Sequence, residues 1–355
     1  MSTNPIDYRK NYLRTVRFEN PDFVPMFFIF NDACYHKYEQ DWIFDMMESH
    51  PFLFPNFVRP QGHFTPSYLP YSRKDHLYTD DFGCVWKTVM DGIVGVVVEH
   101  PLADLDALDS YIFPDPEKCT GIGPINWSEE KARIDRLKEQ GQPAIGGLRH
   151  GHTFLQLCDI RGYENLLMDM FDEEPRLTQL IGGLEEFNLG IVKQYLAIDL
   201  DVMTFAEDLG MQIGPMLSPE LFRKYIKPSY KRLMAPAREM GKIIHMHSDG
   251  DIRTLVADLI DGGVDVVNLQ DLVNGVDWIA DNLAGKICVD LDIDRQSIIA
   301  HGTPKQIDSH IREAVEKLGS KKGGLMMCHG LYPGVPECNA EALMDAMERF
   351  AFFYS

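Results

Sequence analysis

Short apolar runs alternate with amphipathic stretches along most of the chain, and the apolar runs tend to end in polar residues. An apolar run of about four to eight residues is typical of a buried strand, and a helical period of apolar positions is typical of a surface helix. The two signals alternate about seven times, which favours a parallel sheet. The chain length and the number of units favour a closed (β/α)8-type barrel over an open doubly wound sheet, as one domain over residues 1–355.

The predicted strands each combine an apolar run with a polar end, and they cover residues 23–30, 143–148, 201–206, 242–250, 264–269, 287–291 and 323–330. The predicted helices are amphipathic or polar, and they cover residues 1–20, 35–49, 104–111, 128–140, 219–240, 251–261, 278–283, 304–318 and 339–353, with several more across 153–197. Residues 80–88 and 92–99 are two further strand-like runs with a turn between them. They predict a hairpin inserted in the N-terminal part of the barrel.

The strand over residues 242–250 carries two histidines near its end, His245 and His247. Residues two apart on a strand project from the same face, so both imidazoles are expected on one side of the strand. A later strand ends in Cys328 and His329. Imidazole and thiolate are the ligand types that zinc prefers, so these two strand ends indicate a metal site.

Polar residues also follow the other predicted strands. In a TIM-type barrel the C-terminal strand ends converge on one mouth, where active sites lie. We therefore expect a shared site from the strand-end residues His150, Glu207, His247, Gln270, Asp290 and Cys328. Three nearby carboxylates are expected instead to cap the helices that follow the strands, namely Asp208, Asp249 and Asp294.

Composition narrows the functional classes. The formal net charge of −20 argues against a nucleic-acid surface, which needs clustered Lys and Arg. No apolar run has the length of a membrane span, and the N-terminus has no apolar segment typical of a signal peptide. The 7 cysteines are scattered and never spaced as CxxC, which is typical of reduced thiols in a cytoplasm. Neither GxGxxG nor GxxxxGK[ST] is present, so no phosphate-binding loop is predicted.

Several motifs in order make the whole chain resemble the uroporphyrinogen decarboxylase-like superfamily. They are EDLGMQ (207–212), LSPELF (217–222), IKP (226–228), HMHSDG (245–250), GGVDVVN (262–268), VEHPLADL (98–105) and IFPD (112–115). The resemblance implies a distorted TIM barrel and one of two chemistries, which are decarboxylation of porphyrinogens without a cofactor and methyl transfer to or from a corrinoid.

The decarboxylase branch is the first alternative. Its members carry an N-terminal Arg-Gln-Ala-Gly signature that binds substrate carboxylates, whereas residues 26–32 here read MFFIFND and contain no arginine. That interpretation would regain support if Arg59, Arg73 and Arg149 converged on the barrel mouth. A non-catalytic barrel that only binds a ligand is a further alternative.

The methyltransferase branch is favoured. Its members hold zinc through a His-x-Cys motif and a late cysteine, which implies the ligands His245, His247 and Cys328 here. Histidine in place of the first cysteine makes the site richer in nitrogen, which suits an oxygen-bearing substrate such as a methoxylated aromatic better than a thiol. The expected substrate-binding residues line an aromatic and polar pocket, and they are Phe28, Phe30, Asn31, Gln270 and Tyr332.

The mechanism of methyl transfer suggests roles for further groups and for a partner. Glu207 is expected as a fourth metal ligand or a general acid, and His150 and His152 as catalytic residues at the pocket, with hydrogen bonds to loop backbone as the alternative for the two histidines. The sequence carries no recognised corrinoid-binding module, so the cobalamin-type cofactor is expected on a separate protein that docks at the barrel mouth. The oligomeric state stays open, with a homodimer as one option.

Overall fold

The computed structural model describes residues 7–355. Its strands are β1 (Met26–Phe30), β2 (Leu77–Thr79), β3 (Val85–Lys87), β4 (Val96–Glu99), β5 (Ile145–Gly147), β6 (Val202–Asp208), β7 (Ile243–Asp249), β8 (Val266–Gln270), β9 (Cys288–Asp292) and β10 (Leu325–Leu331). Its α-helices are α1 (Tyr8–Val16), α2 (Gln40–Ser49), α3 (Trp127–Glu139), α4 (Phe154–Arg161), α5 (Tyr163–Phe171), α6 (Leu177–Leu196), α7 (Pro219–Leu221), α8 (Lys227–Glu239), α9 (Val256–Gly262), α10 (Asp271–Asn274), α11 (Val276–Asn282), α12 (Ile298–His301), α13 (Pro304–Leu318) and α14 (Glu337–Ala351). The short β2, β3 and β4 form a small sheet of their own in that order.

The chain divides into two compact units. Among the described residues, the first contains 7–10, 78–86 and 97–269, and the second contains 11–77, 87–96 and 270–355. One domain over residues 1–355 stays a prediction. No described helix combines the length and the apolar character needed to cross a bilayer.

In the first unit, β5, β6, β7 and β8 run parallel and pair in that order. The longest ladder joins β6 to β7, from Val202 opposite Ile243 to Asp208 opposite Asp249. Burial alternates along both strands, because one face packs on helices and the other is half-buried. The half-buried face of β7 carries His245, His247 and Asp249. The predicted pairing of the two histidines on one face is thereby confirmed.

In the second unit, β1 pairs with β10 and β10 pairs with β9, again in parallel. Helices α13 and α14 belong to the same unit, and α13 begins with a capping box between Thr303 and Gln306. Phe28 and Phe30 lie on the buried face of β1, while Phe27 is half-buried and Ile29 is 67% exposed. The aromatic strand therefore points its two fully packed rings away from the more open face.

The predicted fold class, an α/β fold of distorted TIM-barrel type, is confirmed by the parallel strands and the helices that connect them. Strand positions agree closely with expectation, although β6 extends through Glu207 and Asp208 rather than ending before them. The hairpin insertion is present as β3 and β4, whereas β2 had no signal in the sequence. The predicted helix over residues 1–20 corresponds to α1, and its first six residues lie outside the described part of the chain.

A buried ion pair in the second unit joins α13 to the start of α10. His310 Nε2 lies 2.6 Å from Asp271 Oδ2, and both side chains are buried. Burial alone lowers the pKa of His310, but the hydrogen bond to Asp271 and the charges of Asp271, Asp294 and Glu313 outweigh burial and raise it.

This ion pair predicts a pH-dependent stability. Because the folded pKa of His310 is raised, its contribution is fully present below about pH 6.5, the unfolded value, and is lost as pH rises through the folded pKa. We expect the difference in melting temperature between wild type and His310→Gln to shrink from about pH 6 to about pH 9. The exposed His63→Gln serves as control, and a His310 difference that stays constant or grows with pH would contradict the assignment.

Candidate functional site

Three side chains of the first unit meet at the ends of β6 and β7. The ligand atoms of His150, Asp208 and His247 all lie within 4.8 Å of one another. Asp208 is in the middle: its Oδ1 is 3.1 Å from His150 Nε2 and 3.6 Å from His247 Nε2. We call these three residues the His–Asp–His cluster. It is half-buried to exposed, so a small molecule or an ion can reach it.

The register between β6 and β7 builds this cluster. Ala206 pairs with His247 and Asp208 pairs with Asp249, so the half-buried residues of the two strands stand side by side. The strands then turn at Gly210 and Gly250, whose backbones touch. A Cβ on Gly210 would lie 2.5 Å from the carbonyl carbon of Gly250, and Gly250 itself has φ of +80°. Only glycine fits both constraints at Gly250.

The charges in the cluster stabilise each other. Burial by itself would raise the pKa of Asp208, but hydrogen bonds from His150 and His247 hold it well below its usual range. Burial by itself would lower the pKa of His247, but the hydrogen bond to Asp208 and the charges of Asp249 and Asp208 raise it to about 9. At neutral pH without a metal, His247 is therefore an imidazolium beside an anionic Asp208. A metal ion at His247 has to displace that proton.

Two more residues of the first unit contact His247. Asp249 Oδ1 lies 3.5 Å from its Nε2, and the Asp249 N–H donates to Asp208 Oδ1 at 3.2 Å. On the neighbouring strand β8, Asn268 accepts a hydrogen bond from His247 Nδ1. The imidazole is thus held at both nitrogens.

Glu207 lies on the opposite face of β6, where it is fully buried. Its carboxylate accepts backbone hydrogen bonds from Thr153, from Phe154 at 2.9 Å and from Leu155 at 3.3 Å, so it caps the start of α4. Burial raises the pKa of Glu207 to about 8, although the backbone hydrogen bonds oppose the shift. The predicted role as metal ligand or general acid stays a prediction, and the observed contacts are those of a helix anchor.

His152 accompanies Glu207 in the interior. Its ring is fully buried between Phe205 and Tyr230, and its Nδ1 lies 2.6 Å from Thr153 Oγ1. Burial lowers the pKa of His152 to about 3, so it is neutral. Of the two histidines predicted after β5, the structure places only His150 in the His–Asp–His cluster.

The assignment of Asp208 as a helix cap is wrong. Asp208 faces the two histidines, and the cap at α4 is made by its neighbour Glu207. The same expectation is confirmed for Asp294, which accepts from the backbone N–H groups of Gln296, Ser297 and Ile299. Sequence alone cannot separate the two cases, because a one-residue change in strand phase exchanges which acid faces the helix.

The second unit contains the other predicted residues. Phe28 packs on Phe54 and His329, and Phe30 also packs on Phe54, so both lie behind the open face of β1. Asn31 accepts from the N–H of Ala33 and caps a short 3-10 helix over Asp32–His36. These contacts are structural, since they pack β1 and cap the short helix that follows it.

Cys328 is half-buried on β10, where its backbone lies opposite that of Asp292 on β9. Tyr332 is 41% exposed, and the Arg295 guanidinium lies 5.7 Å from the centre of its ring. Arg295 also pairs with Asp292 at 2.5 Å. Sequence reasoning missed Arg295, although its position just after β9 was a signal. Gln270 is half-buried at the end of β8.

The three arginines of the decarboxylase alternative are each held by local partners. Arg149 pairs with Asp159 at 3.5 Å and lies over Trp86. Arg59 is bound by three acids of its own surface, Asp41, Asp45 and Glu48. The Arg73 Nε donates to a backbone carbonyl at 3.0 Å. Local carboxylates therefore balance the charges of Arg59 and Arg149, and Arg73 binds a backbone carbonyl.

The donor set of the cluster fits a divalent metal. Two imidazole nitrogens and a carboxylate oxygen are ligands that zinc and related transition metals accept, and three protein ligands leave a position open for substrate. His245 lies on the same face of β7 but outside this group of three, and Cys328 belongs to the second unit.

The raised pKa of the buried Glu207 predicts a pH-dependent stability. Its folded pKa of about 8 exceeds the ordinary value of 4.5, so its contribution to stability is present below about pH 4.5 and is lost as pH rises through about 8. Glu207→Gln stays neutral at every pH. We expect the free energy of unfolding of this variant, measured by urea titration, to increase relative to that of wild type from about pH 5 to about pH 8.5.

The amide of that variant turns an N–H group toward Leu155, which adds a cost that does not depend on pH. Exposed Glu186→Gln is the control. A difference between wild type and Glu207→Gln that is flat across this pH range would show that Glu207 is ionised in the folded protein.

Comparisons with known proteins agree with this architecture. The family model of uroporphyrinogen decarboxylase (URO-D) matches residues 80–350. A uroporphyrinogen decarboxylase from a Synechococcus species is 33% identical over 354 residues, covering 94% of both chains. One from Prochlorococcus marinus is 27% identical over 185 residues, and that match covers 52% of this chain and 51% of the relative.

Among solved structures, a methyltransferase from Methanosarcina mazei superposes with a TM-score of 0.68 at 16% identity. The match covers 96% of this chain and 98% of that one. At this identity the likeness concerns the fold.

Proposed function

The chain belongs to the uroporphyrinogen decarboxylase family, whose members are enzymes. We propose that it uses this fold for metal-assisted methyl transfer. The methyl group moves between a small substrate, a methoxylated aromatic in our proposal, and a cobalt corrinoid carried by a separate protein. The observation that carries the proposal is the His–Asp–His cluster. A decarboxylase that works without a cofactor has no need of a metal-binding donor set.

In this proposal zinc is held by His247 together with His150 and Asp208. His247 is also the residue common to the set predicted from sequence, His245, His247 and Cys328. When bound, the metal supplies a Lewis acid that stabilises negative charge on the leaving oxygen of a methyl ether. The charges of the site favour binding of a cation, because Asp208 stays anionic and the carboxylate of Asp249 lies 3.5 Å from His247 Nε2.

The second unit carries exposed apolar side chains of its own. Ile29 and Tyr332 are exposed, and Phe27 is half-buried next to Ile29 on β1. Apolar and aromatic side chains of this kind suit a flat ligand with few charges. The substrate-binding roles predicted for Phe28, Phe30 and Tyr332 stay predictions, and both phenylalanine rings are buried.

Metal content tests the site directly. We expect about one zinc per chain in wild type purified without a histidine tag, measured by mass spectrometry. His247→Ala and Asp208→Asn should lose it, because the first removes a donor atom of a three-ligand site and the second removes its anionic charge. His245→Ala and Cys328→Ala separate the two ligand sets: retained metal in both supports the cluster, and loss in both supports the set predicted from sequence.

Each variant needs a matched folding check by circular dichroism. Glu186→Gln, an exposed carboxylate on α6, is the control for the loss of one negative charge. Wild type with no metal after purification, and none bound on addition of zinc, would overturn the metal-assisted mechanism.

Turnover tests the reaction class. Wild type is mixed with a panel of methoxylated benzoates and cob(I)alamin, and formation of methylcobalamin is followed by its absorbance. We expect activity in wild type and a loss of about 100-fold or more in Asp208→Asn, because this variant is expected to lose the metal that would stabilise the developing negative charge. Equal rates in both proteins would remove Asp208 from the mechanism.

Decarboxylation remains the second candidate, because the Synechococcus relative that is 33% identical carries that name. Uroporphyrinogen incubated with the enzyme is analysed for loss of carboxylate groups by chromatography. We expect none, since Arg59, Arg73 and Arg149 are engaged by local partners and residues 26–32 lack arginine. Stepwise loss of carboxylates at a catalytic rate would favour decarboxylation over methyl transfer.

A further inference from the structure

Asn268 holds the imidazole of His247 from the side opposite Asp208. It is the third residue of β8, it is 5% exposed, and its backbone pairs in register with His247. Its Oδ1 accepts a hydrogen bond from His247 Nδ1. The other residue paired with His247 is Ala206 on β6, whose methyl group offers no hydrogen bond.

This contact decides which ring nitrogen is presented to the site. An imidazole binds metals through either nitrogen, and the choice is set by the hydrogen bond that the other nitrogen makes. An amide oxygen only accepts, so it requires a proton on Nδ1. Nε2 is then the atom directed at the carboxylates, 3.6 Å from Asp208 and 3.5 Å from Asp249.

We propose that Asn268 is a positioning residue: it fixes the proton of His247 on Nδ1 and the ring orientation, so that Nε2 is the ligand atom. The inference rests on the proposed metal site and adds to it the partner that determines its geometry. Outer hydrogen-bond partners of metal-bound histidines typically change metal affinity by about 10- to 100-fold when removed.

Two substitutions separate the hydrogen bond from the space that the side chain fills. Asn268→Leu has a similar volume and no acceptor, whereas Asn268→Asp keeps an acceptor oxygen at the same place. We expect Asn268→Leu to bind zinc about 10- to 100-fold more weakly than wild type, and Asn268→Asp to bind it at least as tightly. Affinity is measured by competition with a chromophoric chelator.

A second readout needs neither metal nor turnover. In the metal-free protein labelled with 15N-histidine, the Nδ1 proton of His247 is expected as a downfield NMR resonance, protected from exchange by the bond to Asn268. It should persist in Asn268→Asp and disappear or exchange rapidly in Asn268→Leu. The buried asparagine Asn339, which donates to the carbonyls of Ile299 and Gly302, provides the control Asn339→Leu, in which the resonance should be unchanged.

The two readouts distinguish failure of this inference from failure of the proposed function. If wild type binds no zinc but the Nδ1 resonance depends on Asn268, the positioning role stands and the metal-assisted mechanism fails. If Asn268→Leu binds zinc within about twofold of wild type and keeps the Nδ1 resonance, the positioning role is overturned, whatever the enzyme does.

Discussion

The register between β6 and β7 is the constraint on which the candidate site depends. It sets Asp208 beside Asp249 and Ala206 beside His247. Because side chains alternate along a strand, a slip of one residue would send Asp208 toward the helices and bring Glu207 to the histidines. The contact between Gly210 and Gly250 just beyond the strands closes the ladder at this register, since neither turn has room for a side chain.

The same alternation gives two adjacent carboxyl groups opposite states. Glu207 is enclosed on the helix side, and burial keeps it neutral up to about pH 8 even though it accepts three backbone hydrogen bonds. Asp208 faces two histidines, and their hydrogen bonds keep it ionised. One residue thereby anchors α4, which follows His150 and His152, and the next supplies the charge of the cluster. The helix anchor and the charged site are thus built from a single dipeptide.

The sequence predicted the fold, and it pointed to two of the three residues of the His–Asp–His cluster. Strand ends with polar residues located His150 and His247, and the spacing of two predicted a shared face for His245 and His247. It could not assign Asp208, because the helix cap and the cluster differ only in strand phase. Asn268 carried no signal either, since its role arises from pairing with a strand about twenty residues earlier. Phe28 and Phe30 are buried, and a continuous aromatic run in the sequence does not reveal which rings are packed, so their substrate-binding role stays a prediction.

The protonation of His247 links these elements to function. With its pKa raised to about 9, His247 is a cation in the metal-free protein and already neutralises part of the charge of Asp208 and Asp249. A divalent metal would take over that role, since it replaces one positive charge by two and releases the proton. The cluster is therefore not idle without a metal, because imidazolium and carboxylates hold each other in place. The protonated Nε2 of His247 and a metal ion bound at that nitrogen would both stabilise a negative charge that develops on the substrate. The hydrogen bond from His247 Nδ1 to Asn268 is compatible with either form.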